Sequence, residues 1–252
     1  MFIDTHCHMS SEYYDDINLV YKENKKAGID KMIISLCTRE EIKNSFRYIN
    51  EYEDIYATIG YHPEEANYIT SIDLDYMKEL IQKNKKIVGI GEIGLDYHYG
   101  KDNINLQKDL FEKQLSMAEE LNFPVVIHSR DAVKDTIDIL KKYKVKGIIH
   151  CFSGSLEVAN IYISMGFKLG IGGVLTFKNS KLSNVIEKIS LENIVLETDS
   201  PYLTPEPFRG KTNSSKYIPI IAQKIADIKD ISLESVSTTT LENTYNLFDL
   251  DS

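Results

Sequence analysis

Cysteine is scarce: the 252 residues hold three, Cys7, Cys37 and Cys151. Their odd number and wide spacing exclude a disulfide framework and suit a reducing compartment. No apolar run approaches the roughly 18 residues of a membrane span. The opening Met-Phe-Ile-Asp-Thr-His lacks the basic stretch and apolar core of a secretory signal, so a cytoplasmic protein is expected. Positive charge is in deficit, with 29 Lys and Arg against 38 Asp and Glu, a formal charge of −9. That balance argues against a general nucleic-acid coat or a membrane-surface protein, and it leaves room for one locally basic site. Internal repeats, low-complexity tracts and Gly/Ser linkers are missing too, so a single domain over 1–252 is expected.

What is present is an ordinary globular balance, 42% apolar and 27% charged. Short β-branched runs recur at Phe2–Thr5, Lys31–Leu36, Ile55–Ile59, Ile87–Gly91, Pro124–Ile127, Gly147–Ile149, Lys168–Ile171 and Ile194–Glu197. Apolar spacings of three and four lie between them, as in Leu106, Leu110, Phe111, Leu115, Ala118 and Leu121, or Leu74, Met77, Leu80 and Ile81 with Ser71 as N-cap. Val133, Ile137 and Leu140 form a third stripe. Two more helices follow, one striped by Ile218, Ile221, Ala222, Ile225 and Ile228, the other capped by Ser232. Eight buried strands alternating with amphipathic helices predict an α/β protein, a TIM (β/α)8 barrel rather than an open doubly wound sheet.

The histidines fall at strand ends. His6 and His8 close the first expected strand, His62 follows the third, His128 ends the fifth and His150 the sixth. Two carboxylates join them, Glu92 after the fourth strand and Asp199 after the eighth. In a parallel barrel these points share the C-terminal rim, where active sites are built. Residues i and i+2 on a strand point the same way, so His6 and His8 share a face and Cys7 leaves it. A lone strand-end histidine is ordinarily a hydrogen-bonded structural residue. Four of these imidazoles, His6, His8, His128 and His150, with the two acids exceed what one tetrahedral ion needs and suit two divalent ions, Mg2+, Mn2+ or Zn2+, sharing a carboxylate.

Further groups surround this set, each with a structural alternative. Arg130, in phase with His128, is either a fixed cation for a phosphate or carboxylate oxygen or one half of a salt bridge. Ser153-Gly154-Ser155 opens a helix that could attract an anion, although a plain turn capped by Ser155 is the better reading. Arg209 and Lys211 are candidate phosphate contacts or a solvated loop. Tyr97 and Tyr202 could stack on bases, although with 16 tyrosines packing is the default for any one. Glu197 and Asp4, each two residues before a ligand candidate, are expected either to hydrogen-bond ligand histidines or to form structural pairs.

Taken in order, Asp4-Thr-His-Cys-His8, Tyr61-His-Pro63, Gly91-Glu-Ile-Gly-Leu-Asp-Tyr97, Ile127-His-Ser-Arg-Asp-Ala132, His150-Cys-Phe-Ser-Gly-Ser155, Leu196-Glu-Thr-Asp-Ser-Pro-Tyr-Leu203 and Arg209-Gly-Lys211 resemble the TatD-type metal-dependent deoxyribonucleases nearly end to end. The resemblance implies a TIM-barrel hydrolase, a monomer with 3′–5′ exonuclease activity on DNA, at single strands or 3′ ends. It implies that His6, His8 and Glu92 hold one ion, that Glu92, His128 and His150 hold the second, and that Asp199 sits at the first ion and the nucleophilic water. By the same resemblance His62 contacts substrate. The chain departs from the family where Asn213-Ser214-Ser215 replaces Asn-Glu-Pro and where Met9-Ser10 follows His8. Two other functions fit the same metal ligands: an amidohydrolase or esterase such as an aminoacyl-tRNA deacylase, and a non-catalytic metal-stabilised binding protein.

Overall fold

The computed structural model describes residues 1–98, 100 and 102–250; the last two positions of the expected domain lie outside them. Among the described residues there are eight strands, β1 (Phe2–Cys7), β2 (Ile29–Leu36), β3 (Ile55–Ile59), β4 (Ile87–Asp96), β5 (Val125–Arg130), β6 (Gly147–Ile149), β7 (Phe167–Ile171) and β8 (Ile194–Leu196). The helices between and after them are α1 (Ile17–Lys26), α2 (Arg39–Ser45), α3 (Tyr48–Glu51), α4 (Ser71–Lys83), α5 (Ile104–Leu121), α6 (Val133–Leu140), α7 (Leu156–Ser164), α8 (Leu182–Lys188), α9 (Ile218–Lys229) and α10 (Leu233–Phe248). Strand order follows sequence order, and the registered pairs are parallel. Every residue of β1, β3, β4, β6 and β8 is buried. That is why β6 and β8, Gly-Ile-Ile and Ile-Val-Leu, read as short apolar runs instead of alternating ones. None of the described helices is long and apolar enough to cross a membrane.

The chain divides into two compact units, Ser35–His150 and the flanking segments 1–34 with 151–250. In the unit Ser35–His150, α5 packs on β4 and anchors two connections through buried amides. Gln114 accepts from the Tyr61 backbone N–H at 2.7 Å and donates to the Tyr61 carbonyl at 3.0 Å. Gln107 does the same for Asp96, at 2.9 and 2.8 Å. These side chains satisfy backbone groups that the strand ends leave over. Helix α4 starts one residue earlier than expected: Thr70, not Ser71, is the N-cap, paired with Asp73 in a capping box.

In the flanking unit, α10 packs against β1, β8 and α9. Ser232 caps α10 through the Ser235 N–H, and Ser155 caps α7 through the Val158 N–H. The first is the expected cap; the second supports the plain-turn reading of Ser153–Ser155.

Three strands outrun their expected ends. β1 continues to Cys7, β5 to Arg130 and β4 to Asp96. Glu92 and His128 are therefore inside strands, not beyond them. β4 continues past Gly91 because it keeps a registered partner, with Gly94, Leu95 and Asp96 pairing with His128, Ser129 and Arg130. Only glycine permits this approach at position 94, where φ is +149° and a Cβ would lie 1.9 Å from the His128 carbonyl oxygen.

Candidate metal centre

In the unit Ser35–His150 the arrangement is built around Glu92. Pairing with β5 jumps from Gly91–Val126 to Ile93–Ile127, a bulge that leaves Glu92 out of register. Bulges of this kind re-aim a side chain. The nearly buried Glu92 carboxylate has three imidazoles around Oε1: His128 Nδ1 at 2.6 Å, His150 Nε2 at 3.6 Å and His62 Nε2 at 3.8 Å. His128 and His150 stack with ring centres 6.3 Å apart, and His62 meets His128 edge-on at 4.5 Å. His62 is held by its own turn, its Nδ1 accepting from the Glu64 N–H.

Sequence reasoning treated Asp96 only as part of a motif, and the structure gives it a definite task. Its Oδ2 accepts from His128 Nε2 at 2.9 Å, and its Oδ1 accepts from the His98 N–H at 2.8 Å. The available signal was its spacing: four residues beyond Glu92 is two strand repeats. Burial alone would push the His128 imidazole down, but its bonds to Asp96 and Glu92 win and lift it to about 9. Burial likewise opposes ionisation of Asp96, yet the His128 and His98 donors hold it below the usual carboxylate range.

In the flanking unit the corresponding group is His6, His8 and Asp199. β1 and the segment after β8 are laced together: Asp199 N–H donates to the His6 carbonyl at 3.0 Å, and His8 N–H to the Ser200 carbonyl at 2.7 Å. Asp199 adopts φ +53°, a left-handed conformation that Asp tolerates better than most residues. Its Oδ1 lies 3.7 Å from His6 Nε2 and 3.6 Å from His8 Nε2. Cys7 faces away, its thiol directed at the Ile33 carbonyl, and burial pushes its pKa well up.

The spacings fit divalent cations. An imidazole–carboxylate separation of 3.6–3.8 Å is too long for a hydrogen bond. Ligand bonds of about 2.0–2.2 Å opened to a tetrahedral angle put donor atoms roughly 3.3–3.5 Å apart, close to what is observed. The donor atoms of Glu92, His128 and His150 all lie within 4.8 Å of one another, as do those of His62, Asp96 and His128. All are nitrogen and carboxylate oxygen, the donor chemistry of Zn2+ and Mn2+ sites.

The other sequence candidates sit in defined contacts. Tyr97 donates its hydroxyl to Asp135 at 2.9 Å. That bond ties the hydroxyl end of the ring to α6. Arg209 donates to the Thr204 carbonyl at 3.0 Å and covers the Phe177 ring at 4.0 Å, while the Lys211 ammonium stands 5.3 Å from the Phe208 ring. Arg209 thus links its loop to the segment after β7, and Lys211 stands beside a ring of its own loop. Arg130 ends β5 exposed to solvent, its carbonyl accepting from the Tyr97 N–H. Asp4 accepts from the His6 backbone N–H, and its carboxylate also accepts from Thr198 N at 3.0 Å and Thr198 Oγ1 at 2.6 Å. Glu197 accepts from the Cys151 N–H at 2.6 Å.

The model of one family, described as TatD related DNase, matches residues 3–249. An uncharacterized metal-dependent hydrolase of Bacillus subtilis, YabD, is 42% identical over 253 residues, covering 98% of this chain and 99% of the relative. Among solved structures, the TatD homologue YJJV of Escherichia coli superposes with a TM-score of 0.92 at 29% identity, over 99% of this chain and 98% of that one. A TatD-family hydrolase of Entamoeba histolytica follows at 0.86 and 25% identity, over 98% and 97%. The likeness to YJJV establishes the (β/α)8 barrel as the fold class.

Proposed function

Because the chain belongs to the TatD-related DNase family of metal-dependent hydrolases, we propose that it is a 3′–5′ exonuclease that hydrolyses DNA phosphodiesters with two divalent cations. Single strands and 3′ ends are its substrates, and it works as a cytoplasmic monomer, one domain over 1–252. Glu92, His128 and His150 would hold one cation, and His6, His8 and Asp199 the other. The observation that carries this reading is the Glu92 carboxylate, nearly buried among three imidazoles at 2.6–3.8 Å.

When bound, such cations supply Lewis-acid stabilisation of phosphoryl oxygens and make water more acidic. The protein's own residues do the rest. Asp199, only partly buried, orients the attacking water and accepts its proton. Arg130 places a guanidinium two residues beyond His128 in the same strand phase, where it offsets negative charge developing on the phosphoryl oxygens. His62, its Nε2 3.8 Å from the Glu92 carboxylate, contacts the substrate. Asp96 orients His128 by accepting from Nε2, which leaves Nδ1 turned toward Glu92.

The test is metal reconstitution with end-labelled single-stranded DNA, scoring both rate and cleavage end, with aminoacyl and simple carboxylic esters in parallel. Stepwise loss from the 3′ end, dependent on Mg2+, Mn2+ or Zn2+, is expected. Glu92→Ala should lose at least about a thousandfold in rate while keeping its folded circular-dichroism spectrum, by analogy with the removal of a principal electrostatic group. Ester hydrolysis without DNA cleavage would overturn the substrate assignment.

A further inference from the structure

Tyr202 is half exposed, yet it is not loosely placed. Its N–H donates to the Asp199 carbonyl at 2.9 Å, and its own carbonyl accepts from the Nδ2 of fully buried Asn213. Its hydroxyl reaches the hydroxyl of Tyr13 at 3.1 Å. The two rings meet edge to face, with centres 5.8 Å apart and planes 68° to one another. Tyr202 also makes a T-shaped pair with His8, ring centres 6.1 Å apart and planes at 71°. Tyr13 is carried on the turn that follows β1, where its N–H bonds the Ser10 carbonyl. Two tyrosines are therefore fixed against one another on the same two loops that carry His8 and Asp199.

Here the hydroxyl pair and the T-shaped contact fix the position of the ring, while half of the residue stays exposed. A rigid aromatic face next to a phosphate-handling site is what a nucleobase stacks on, since every base offers a π-face whatever its sequence. We propose that Tyr202, braced by Tyr13, forms a nucleobase-stacking subsite beside His8 and Asp199, so that the protein recognises the base attached to the phosphate it binds. The subsite rests on the DNase reading for its biological ligand, and it deepens that reading by naming what is recognised besides phosphate.

The experiment needs no turnover. The manganese-loaded full-length protein is titrated with dAMP and, separately, with 2-deoxyribose 5-phosphate, by calorimetry. Stacking of one base corresponds to roughly 5- to 150-fold in affinity. The wild type should therefore prefer dAMP by about tenfold or more. Tyr202→Ala should bring the ratio close to one, Tyr13→Ala should lower it by removing the brace, and Tyr202→Phe, which keeps the ring, should retain most of it. Should Tyr202→Ala fail to fold, Tyr13→Ala reads the same ratio from the other ring. A wild type that binds both probes alike, or a folded Tyr202→Ala that keeps the full preference, overturns the subsite. Tyr202-dependent preference in a protein that leaves DNA uncut would remove the exonuclease reading and keep the subsite.

Discussion

Asp96 offers a sharp test of how the Glu92 centre is organised. Its two carboxylate oxygens are committed to two different donors, Oδ1 to the His98 N–H and Oδ2 to His128 Nε2. The side chain is 3% exposed and that of His128 17%, so solvent does little to screen the bond. Asparagine has nearly the same shape but only one acceptor oxygen, so one of the two donors must face an amide NH2 instead. If His128 loses its acceptor, its ring is free to rotate and Nδ1 is no longer aimed at Glu92. Loss of such an orienting partner costs about 10- to 100-fold in metal affinity, equivalent to about 1.4–2.7 kcal/mol. The backbone of Asp96 remains anchored by Gln107, so the fold should tolerate the change. The assay is competition for Zn2+ or Mn2+ against a chromogenic chelator at fixed pH, with melting temperature followed in excess EDTA. Asp96→Asn and Asp96→Ala should both weaken one bound equivalent, with little change in the metal-free melting temperature. If both variants bind metal as the wild type does, Asp96 does not position His128.

Other consequences are independent of metal. Gln114→Ala strips two partners from the Tyr61 backbone and should destabilise by about 2–4 kcal/mol in urea unfolding, at about 1–2 kcal/mol for each buried group left unpaired. A loss under 0.5 kcal/mol would mean that water replaces both bonds. Gly94→Ala puts a methyl group against the His128 carbonyl and should give little soluble protein, or a loss above about 4 kcal/mol; near-wild-type stability would show that β4 can move away from β5. The Arg39 guanidinium hydrogen-bonded to Asp73 holds that carboxyl down at about 2, below its ordinary value. A depressed folded pKa contributes stability above the unfolded value near 4, and that contribution fades as pH falls toward 2. The stability difference between wild type and Arg39→Ala should therefore shrink across that window, and a difference independent of pH would exclude the pair as its source.

The elements that could be read from the chain are those whose signal is local. β3 and β6 begin and end where their apolar runs do, and Ser232 and Ser155 cap helices because a hydroxyl at that position bonds an N–H three residues on. The histidines and carboxylates were legible as a set for a related reason. Residue type and strand phase are properties of the sequence, and imidazole with carboxylate has few other uses in such a pattern. What only the tertiary structure decided depends on partners far away along the chain. β4 extends to Asp96 because β5 pairs with it, Tyr97 is tied down by Asp135, and Arg209 is taken up by Phe177. Asp96 has a role because His128 comes within 2.9 Å of it. A hydrogen bond across thirty residues leaves no period in the sequence, since its energy depends on where two backbones are brought and not on which residues are neighbours.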